Sequence, residues 1–239
     1  MTVLITGGAT GIGKAICEIF AKNGYDLAIN YYKSEKEALL LKKELQDMYK
    51  GKIELFKYNL ASLDNVSNLY HEFKQAYPKG ADVLVNNAGI CEDKLFQDLD
   101  DDKINEIYNV NLLSAIKLTR LVISDMISKK SGTIINISSI SGVLGCSYEV
   151  DYSTTKAALN GFTKALSKEV GKSNITVNAI APGIIKTEMT KDLDEEYCKQ
   201  CIPLNRYGTT KEVADLVYHL SQNKYITGQI IGIDGAMIL

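Results

Sequence analysis

At 239 residues with 46% hydrophobic side chains, the chain has the size of one α/β domain, and no linker, internal repeat or low-complexity run divides it. A net charge of −2, from 27 basic and 29 acidic residues, offers no basic stripe for nucleic acid, and no apolar stretch reaches the roughly 18 residues of a membrane span. The five cysteines, Cys17, Cys91, Cys146, Cys198 and Cys201, are odd in number and scattered, which argues against a disulfide framework and for a reducing, cytoplasmic compartment.

T-V-L-I-T at 2–6 reads as a first strand that leaves no room for a leader ahead of it. It runs into G-G-A-T-G-I-G and then an apolar-periodic helix at 14–22. Gly7, Gly11 and Gly13 let the backbone approach a ligand, and the helix beyond them presents free N–H groups and a positive dipole end, a site for pyrophosphate. The motif lacks the Gly-Lys-Ser/Thr of a P-loop. Strand and helix then alternate: strands at 26–31, 53–58, 82–86, 133–137, 175–180 and 229–233, and helices at 35–50, 65–76, 103–129 and 151–173, with a helical region between 194 and 221. Such alternation, with Val- and Ile-rich strands, predicts a doubly wound parallel sheet of seven strands with helices on both faces, in a single domain spanning 1–239. Ligands of such sheets bind at the carboxyl ends of the strands. There the glycine turn, Asn86-Asn87-Ala88-Gly89, Ser138-Ser139 and Pro182-Gly183 converge.

Tyr152 and Lys156, in Y-S-T-T-K, share one helical face, and a phenol beside a fixed cation is a tunable acid. Cys198 and Cys201 form a C-x-x-C with no second pair and no His nearby, so they and the other cysteines read as apolar fillers, and no metal is expected. His71 and His219 lie apart from every motif.

The whole chain resembles the short-chain dehydrogenase/reductase family, through T-G-G-A-T-G-I-G, N-N-A-G, the N-V-N of 109–111, I-S-S, Y-S-T-T-K and A-P-G-I-I-K-T. Within it the similarity is greatest to bacterial 3-oxoacyl-[acyl-carrier-protein] reductases, notably in Y-I-T-G-Q-I-I-G-I-D-G-A-M. The resemblance implies four catalytic positions. Tyr152 would protonate the substrate carbonyl. Lys156 would hold the nicotinamide ribose and lower the Tyr152 pKa, and Ser139, thirteen residues before the tyrosine, would hydrogen-bond the same oxygen. Asn111 would hold a proton-relaying water. Ser138 and Ser141 read instead as hydroxyls serving local backbone.

For the cofactor, the resemblance implies contacts from Gly7, Thr10, Gly11, Ile12 and Gly13 in the turn, from Asn59 and Leu60 beside the adenine, and from Asn87, Ala88 and Gly89 along the adenosine ribose. Tyr152, Lys156, Pro182, Gly183, Ile185 and Thr187 would hold the nicotinamide end, while Asn86 would be structural, bridging strands. At the end of the second strand, Tyr31 and Lys33 stand where an acidic residue would repel a 2′-phosphate, which favours NADPH over NADH. A substrate lid is expected at 188–207. The implied reaction is NADPH-dependent reduction of a 3-oxoacyl thioester carried on acyl carrier protein, in fatty acid synthesis. Alternatives are a dehydrogenase or reductase acting on a sugar, steroid, secondary alcohol or acetoacetyl-CoA, or nucleotide sensing without turnover. Lys129, Lys130 and Lys172 are candidates for docking the acidic carrier protein, and the resemblance implies a homotetramer, with a dimer also able to cover the apolar carboxyl-terminal run.

Overall fold

The computed structural model describes residues 1–238, so Leu239, the last residue of that apolar run, lies outside it. Seven strands, Thr2–Ile5 (β1), Asp26–Tyr31 (β2), Ile53–Lys57 (β3), Val83–Asn86 (β4), Gly132–Ile137 (β5), Ile175–Pro182 (β6) and Ile230–Ile233 (β7), form one sheet in the order β3-β2-β1-β4-β5-β6-β7. Every pairing is parallel. The chain winds outward from β1 to β3, then crosses back to lay β4 against the other side of β1, so the order reverses between β1 and β4.

Alternation along each strand sends side chains to two separate cores. Val3, Ile5, Val85 and Ile135 pack under Gly11–Lys22 (α1) through Ile16 and Phe20, under Glu35–Met48 (α2) through Leu41 and Leu45, and under Thr210–Gln222 (α9) through Val213, Val217 and Leu220. Leu4, Leu84, Ile134 and Val177 face the opposite layer. There Leu63–Ala76 (α3) contributes Leu69 and Phe73, Ser114–Lys129 (α5) contributes Leu118 and Val122, and Val150–Val170 (α7) contributes Val170.

Two expected helices are interrupted. The stretch 103–129 divides into Asp101–Tyr108 (α4) and α5, joined by a π-helical turn at Asn109–Leu113. Such turns hold one residue more than the α-helical repeat and occur often at functional sites. The region 194–221 divides into Glu195–Gln200 (α8) and α9; the latter begins at a reciprocal cap in which Thr209 Oγ1 accepts from the Glu212 N–H and Glu212 accepts from the Thr209 N–H. A one-turn helix, Ser141–Leu144 (α6), was not foreseen.

Candidate active site

A cleft of about 400 Å³ opens at the carboxyl ends of the strands, over the β1–β4 reversal. All the expected cofactor positions line it: Gly7, Thr10, Gly11, Ile12 and Gly13 from the first turn, Tyr31, Lys33, Asn59 and Leu60 from the ends of β2 and β3, Asn87, Ala88 and Gly89 after β4, and Pro182, Gly183, Ile185 and Thr187 after β6. Ser139, Tyr152 and Lys156 line it too; Asn111 lies behind them, buried.

The glycine turn is shaped by close approach. Gly7 and Gly11 have φ of 61° and 53°, the left-handed region that L side chains seldom enter. At Gly13 the limit is space, because a Cβ there would sit 2.2 Å from the Gly7 carbonyl oxygen. Asn87 fixes the turn from the other side, donating through Nδ2 to the carbonyls of Thr6 and Gly7 at 3.0 Å each. Asn30, buried at the end of β2, accepts from the Gly7 N–H at 3.4 Å and donates to the Phe56 and Tyr58 carbonyls, tying the turn to β3. Its bracing role is invisible in a strand whose neighbours are unknown. A dinucleotide fits this cradle, since α1 begins with no side-chain cap on its N–H groups and glycines at 7, 11 and 13 leave its backbone bare.

The other end of the cleft is assembled by α7 and the loop after β5. Lys156, 3% exposed, donates through Nζ to the Ile137 carbonyl at 2.8 Å, with Nζ 5.4 Å from the Tyr152 ring centroid. Ser138 Oγ donates to the Lys156 carbonyl at 3.2 Å, a backbone partner as expected, but a distant one on α7 rather than a local one. Gly142 presses α6 against α7; a Cβ there would meet the Lys156 carbonyl carbon at 2.6 Å, so only glycine allows the serine loop to seat against α7. The π-turn carries Asn111, whose amide makes a two-point clamp on Ile90, Oδ1 accepting from its N–H at 2.8 Å and Nδ2 donating to its carbonyl at 2.9 Å. At Gly89 an added Cβ would lie 3.3 Å from Lys156 Nζ and 3.6 Å from Asn111 Oδ1, so that glycine leaves room beside both groups. Asn86 bridges β4 to β5 through Asn136 Oδ1 at 2.8 Å and to α5 through Thr119 Oγ1, which is the structural role expected of it.

Several expectations need correction. Ser141 does not serve the backbone: its hydroxyl donates to Glu149 Oε2 at 2.8 Å. On balance the protein's own groups raise the Tyr152 phenol. Burial pushes it up, reinforced by Cys91, Glu149 and Asp93, and only a hydrogen bond with Ser139 pulls it down. The phenol is therefore protonated throughout the neutral range, as a proton donor must be. Burial acts on Lys156 in the opposite sense, bringing its ammonium down to about 8. Among the cysteines only Cys17 is a buried filler; all five are free thiols. Lys129 lies at the far edge of the sheet, where it pairs with Asp82 at 2.8 Å just before β4, and Lys130 and Lys172 precede β5 and β6 at the same amino-terminal edge. That edge is opposite the cleft, so these lysines cannot form a docking patch at its mouth. The acidic side chains of the segment 188–207 are partly neutralised within it: Glu195 pairs with Lys199, and Asp194 caps α8 through the Tyr197 N–H.

The model of the short chain dehydrogenase family matches residues 1–233. The chain is 37% identical to a 3-oxoacyl-[acyl-carrier-protein] reductase of Thermotoga maritima, covering 99% of this chain and 97% of the relative. It is 40% identical to a protein of the same description from Aquifex aeolicus, over 98% of this chain and 96% of that one. Nodulation protein G of Rhizobium meliloti is 37% identical, over 99% and 96%.

Proposed function

The chain belongs to the short-chain dehydrogenase family, and on that premise we propose that it is an oxidoreductase that uses NADPH to reduce 3-oxoacyl thioesters, carried on acyl carrier protein, to their 3-hydroxy forms in fatty acid synthesis. One observation carries the reading: Ser139, Tyr152 and Lys156 meet at one end of a cleft whose other end is the glycine turn. A bound reduced nicotinamide supplies the hydride. Tyr152 holds the proton that the carbonyl oxygen takes up, Ser139 offers that oxygen a second hydroxyl, and Lys156, with its ammonium 5.4 Å from the Tyr152 ring centroid, is the group through which the phenol is reprotonated. A protein that merely senses the nucleotide has no need of this set.

The end of β2 supports NADPH. No carboxylate from Tyr31 to Ser34 lines the cleft there, Lys33 does, and the nearest acid, Glu35, is held by Lys57 at 2.7 Å. A 2′-phosphate meets one cation and no anion. The segment 188–207 serves as the substrate lid, with Met189 and Thr190 already lining the cleft. The assembly is a homotetramer built on the long helices and β7, and the compartment is the cytoplasm, in keeping with five unpaired thiols and with no helix, among the described residues, long and apolar enough to cross a membrane.

The test is NADPH oxidation with acetoacetyl thioesters of acyl carrier protein and of coenzyme A, using Tyr152→Phe as the blank. Turnover on the carrier-linked substrate, lost by a factor of about 10² or more in the variant, bears the assignment out. A wild-type enzyme that binds NADPH yet leaves both thioesters untouched sinks it.

A further inference from the structure

Ser141 joins the catalytic serine to a carboxylate. Its single hydroxyl proton goes to Glu149 Oε2 at 2.8 Å, so toward Ser139, whose Oγ is 3.2 Å away, Ser141 Oγ can only accept. The proton of Ser139 is thereby drawn to Ser141, away from the cleft. The Ser141 N–H donates back to Ser139 Oγ at 3.1 Å, which holds that oxygen in place without fixing where its proton points. The direction of the whole chain is set at its far end. A group at 149 that donates instead of accepting turns each hydroxyl around.

We propose that Glu149 is a positioning residue that decides where Ser139 donates: as a carboxylate it commits the Ser139 proton to Ser141, and as the neutral acid it donates to Ser141, which donates to Ser139 and frees that hydroxyl for the carbonyl oxygen being reduced. This rests on the reductase reading. No bond is made or broken in the switch beyond the exchange of one proton between Glu149 and solvent.

The surroundings make the protonated form accessible. Glu149 is half-buried at the start of α7, and burial, together with Asp93, holds its carboxyl above the usual range, against hydrogen bonds from Ser141 and Cys146 that lower it. Asp93 and Cys91 reach it from the loop after β4, within 4.8 Å of its carboxylate, Cys146 from its own loop and Tyr152 from the next turn of α7. The two loops are pinned together by the Lys94 N–H donating to the Tyr148 carbonyl at 3.1 Å, so the carboxylate is held where it is rather than free to swing into water.

The experiment measures kcat and KM against pH at saturating NADPH for the wild type, Glu149→Gln and Ser141→Ala, with folding monitored by thermal melts. Glutamine carries no titrating charge and can donate to Ser141 through Nε2, and alanine removes the acceptor that diverts the Ser139 proton. In the wild type kcat for reduction steps down by roughly five- to tenfold as Glu149 ionises, the worth of one hydrogen bond, with KM unchanged. Both variants lack this step and keep the higher plateau, while the separate fall from Lys156, near 8, persists in all three. A step that survives in both variants overturns the relay, as does a Glu149→Gln enzyme slower than the wild type at every pH. Should one variant fail to fold, the other gives the same readout. An inactive wild type overturns the reductase reading itself and removes this role with it.

Discussion

Replacing Gly13 by alanine tests how the cleft is built, because at this residue the limit is space rather than backbone angle. The new Cβ would lie 2.2 Å from the Gly7 carbonyl oxygen, 2.7 Å from Asn87 Nδ2 and 2.9 Å from Gly8 Cα, where ordinary contacts begin beyond 3 Å. Two of the three are backbone atoms, so the turn itself must move by about an ångström. Overpacking of this kind costs about 1–3 kcal/mol. Alanine returns up to about 1 kcal/mol through its better helix propensity, although Gly13 is only two residues into α1. The net loss of about 0–3 kcal/mol corresponds to a fall in Tm of up to roughly 12 °C for a domain of this size. The displaced carbonyl and its neighbouring N–H groups line the cradle, so NADPH binding should fail well before stability does.

Gly11 is the comparison. There a Cβ would meet only Thr187, at 3.6 Å or more, and the obstacle is the φ of 53°. Gly11→Ala should therefore cost about 1–2 kcal/mol, and Gly11→Asn, a residue that tolerates this region, should recover part of that. Gly13→Asn should be worse than Gly13→Ala. Thermal melts and NADPH fluorescence titrations on the four variants decide the matter. A Gly13→Ala protein that melts and binds like the wild type would refute the reasoning, as would asparagine rescuing position 13 rather than 11.

Lys156→Met should change how stability varies with alkaline pH. Burial lowers the folded pKa of Lys156 from 10.5 to about 8, so between those values the unfolded chain keeps a proton that the folded one has lost, and the lysine's contribution to stability rises with pH across that window. The Tm advantage of Lys156→Met, measured without nucleotide, is thus greatest below 8 and shrinks toward 10.5; a constant difference would contradict the burial argument. Lys129→Ala should cost less than about 1 kcal/mol, the worth of a partly exposed pair, and leave unchanged the KM ratio of carrier-linked to coenzyme A-linked substrate. A selective rise in the carrier-linked KM would place the docking surface at the sheet's other edge after all.

Much of this architecture could be read from the chain because its signals are local. The strand–helix alternation, the glycines and the four loop motifs each depend on residues adjacent in sequence, and the parallel topology then brings them to one edge. The placement of Lys129, Lys130 and Lys172 followed from the same topology: a helix returning to start the next parallel strand ends at the amino-terminal edge, away from the ligand. The π-turn left no mark, since one extra residue at 109–113 shifts the phase of α5 without altering its composition. Glu149, Asn30 and Gly142 were missed for a different reason. Each acts through a partner that only tertiary structure supplies: a serine across a loop, a neighbouring strand, and the backbone of a helix.

The reversal of strand order also sets a timetable for the nascent chain. β1 emerges first but its second neighbour, β4, begins at residue 83, and the cleft is not closed until Thr187 to Thr190 have been made. The glycine cradle therefore waits, as a half-site, while most of the polypeptide is synthesised, and nucleotide can contribute nothing to the early steps of collapse. Final closure depends on an element made later still: β7 receives the Gly183 N–H through the Ile233 carbonyl, at 3.0 Å. A ribosome-stalled chain ending before residue 230 would hold every cleft-lining residue and lack the strand that fixes one wall, so NADPH should act as a late lock on a folded product rather than as a scaffold for its formation.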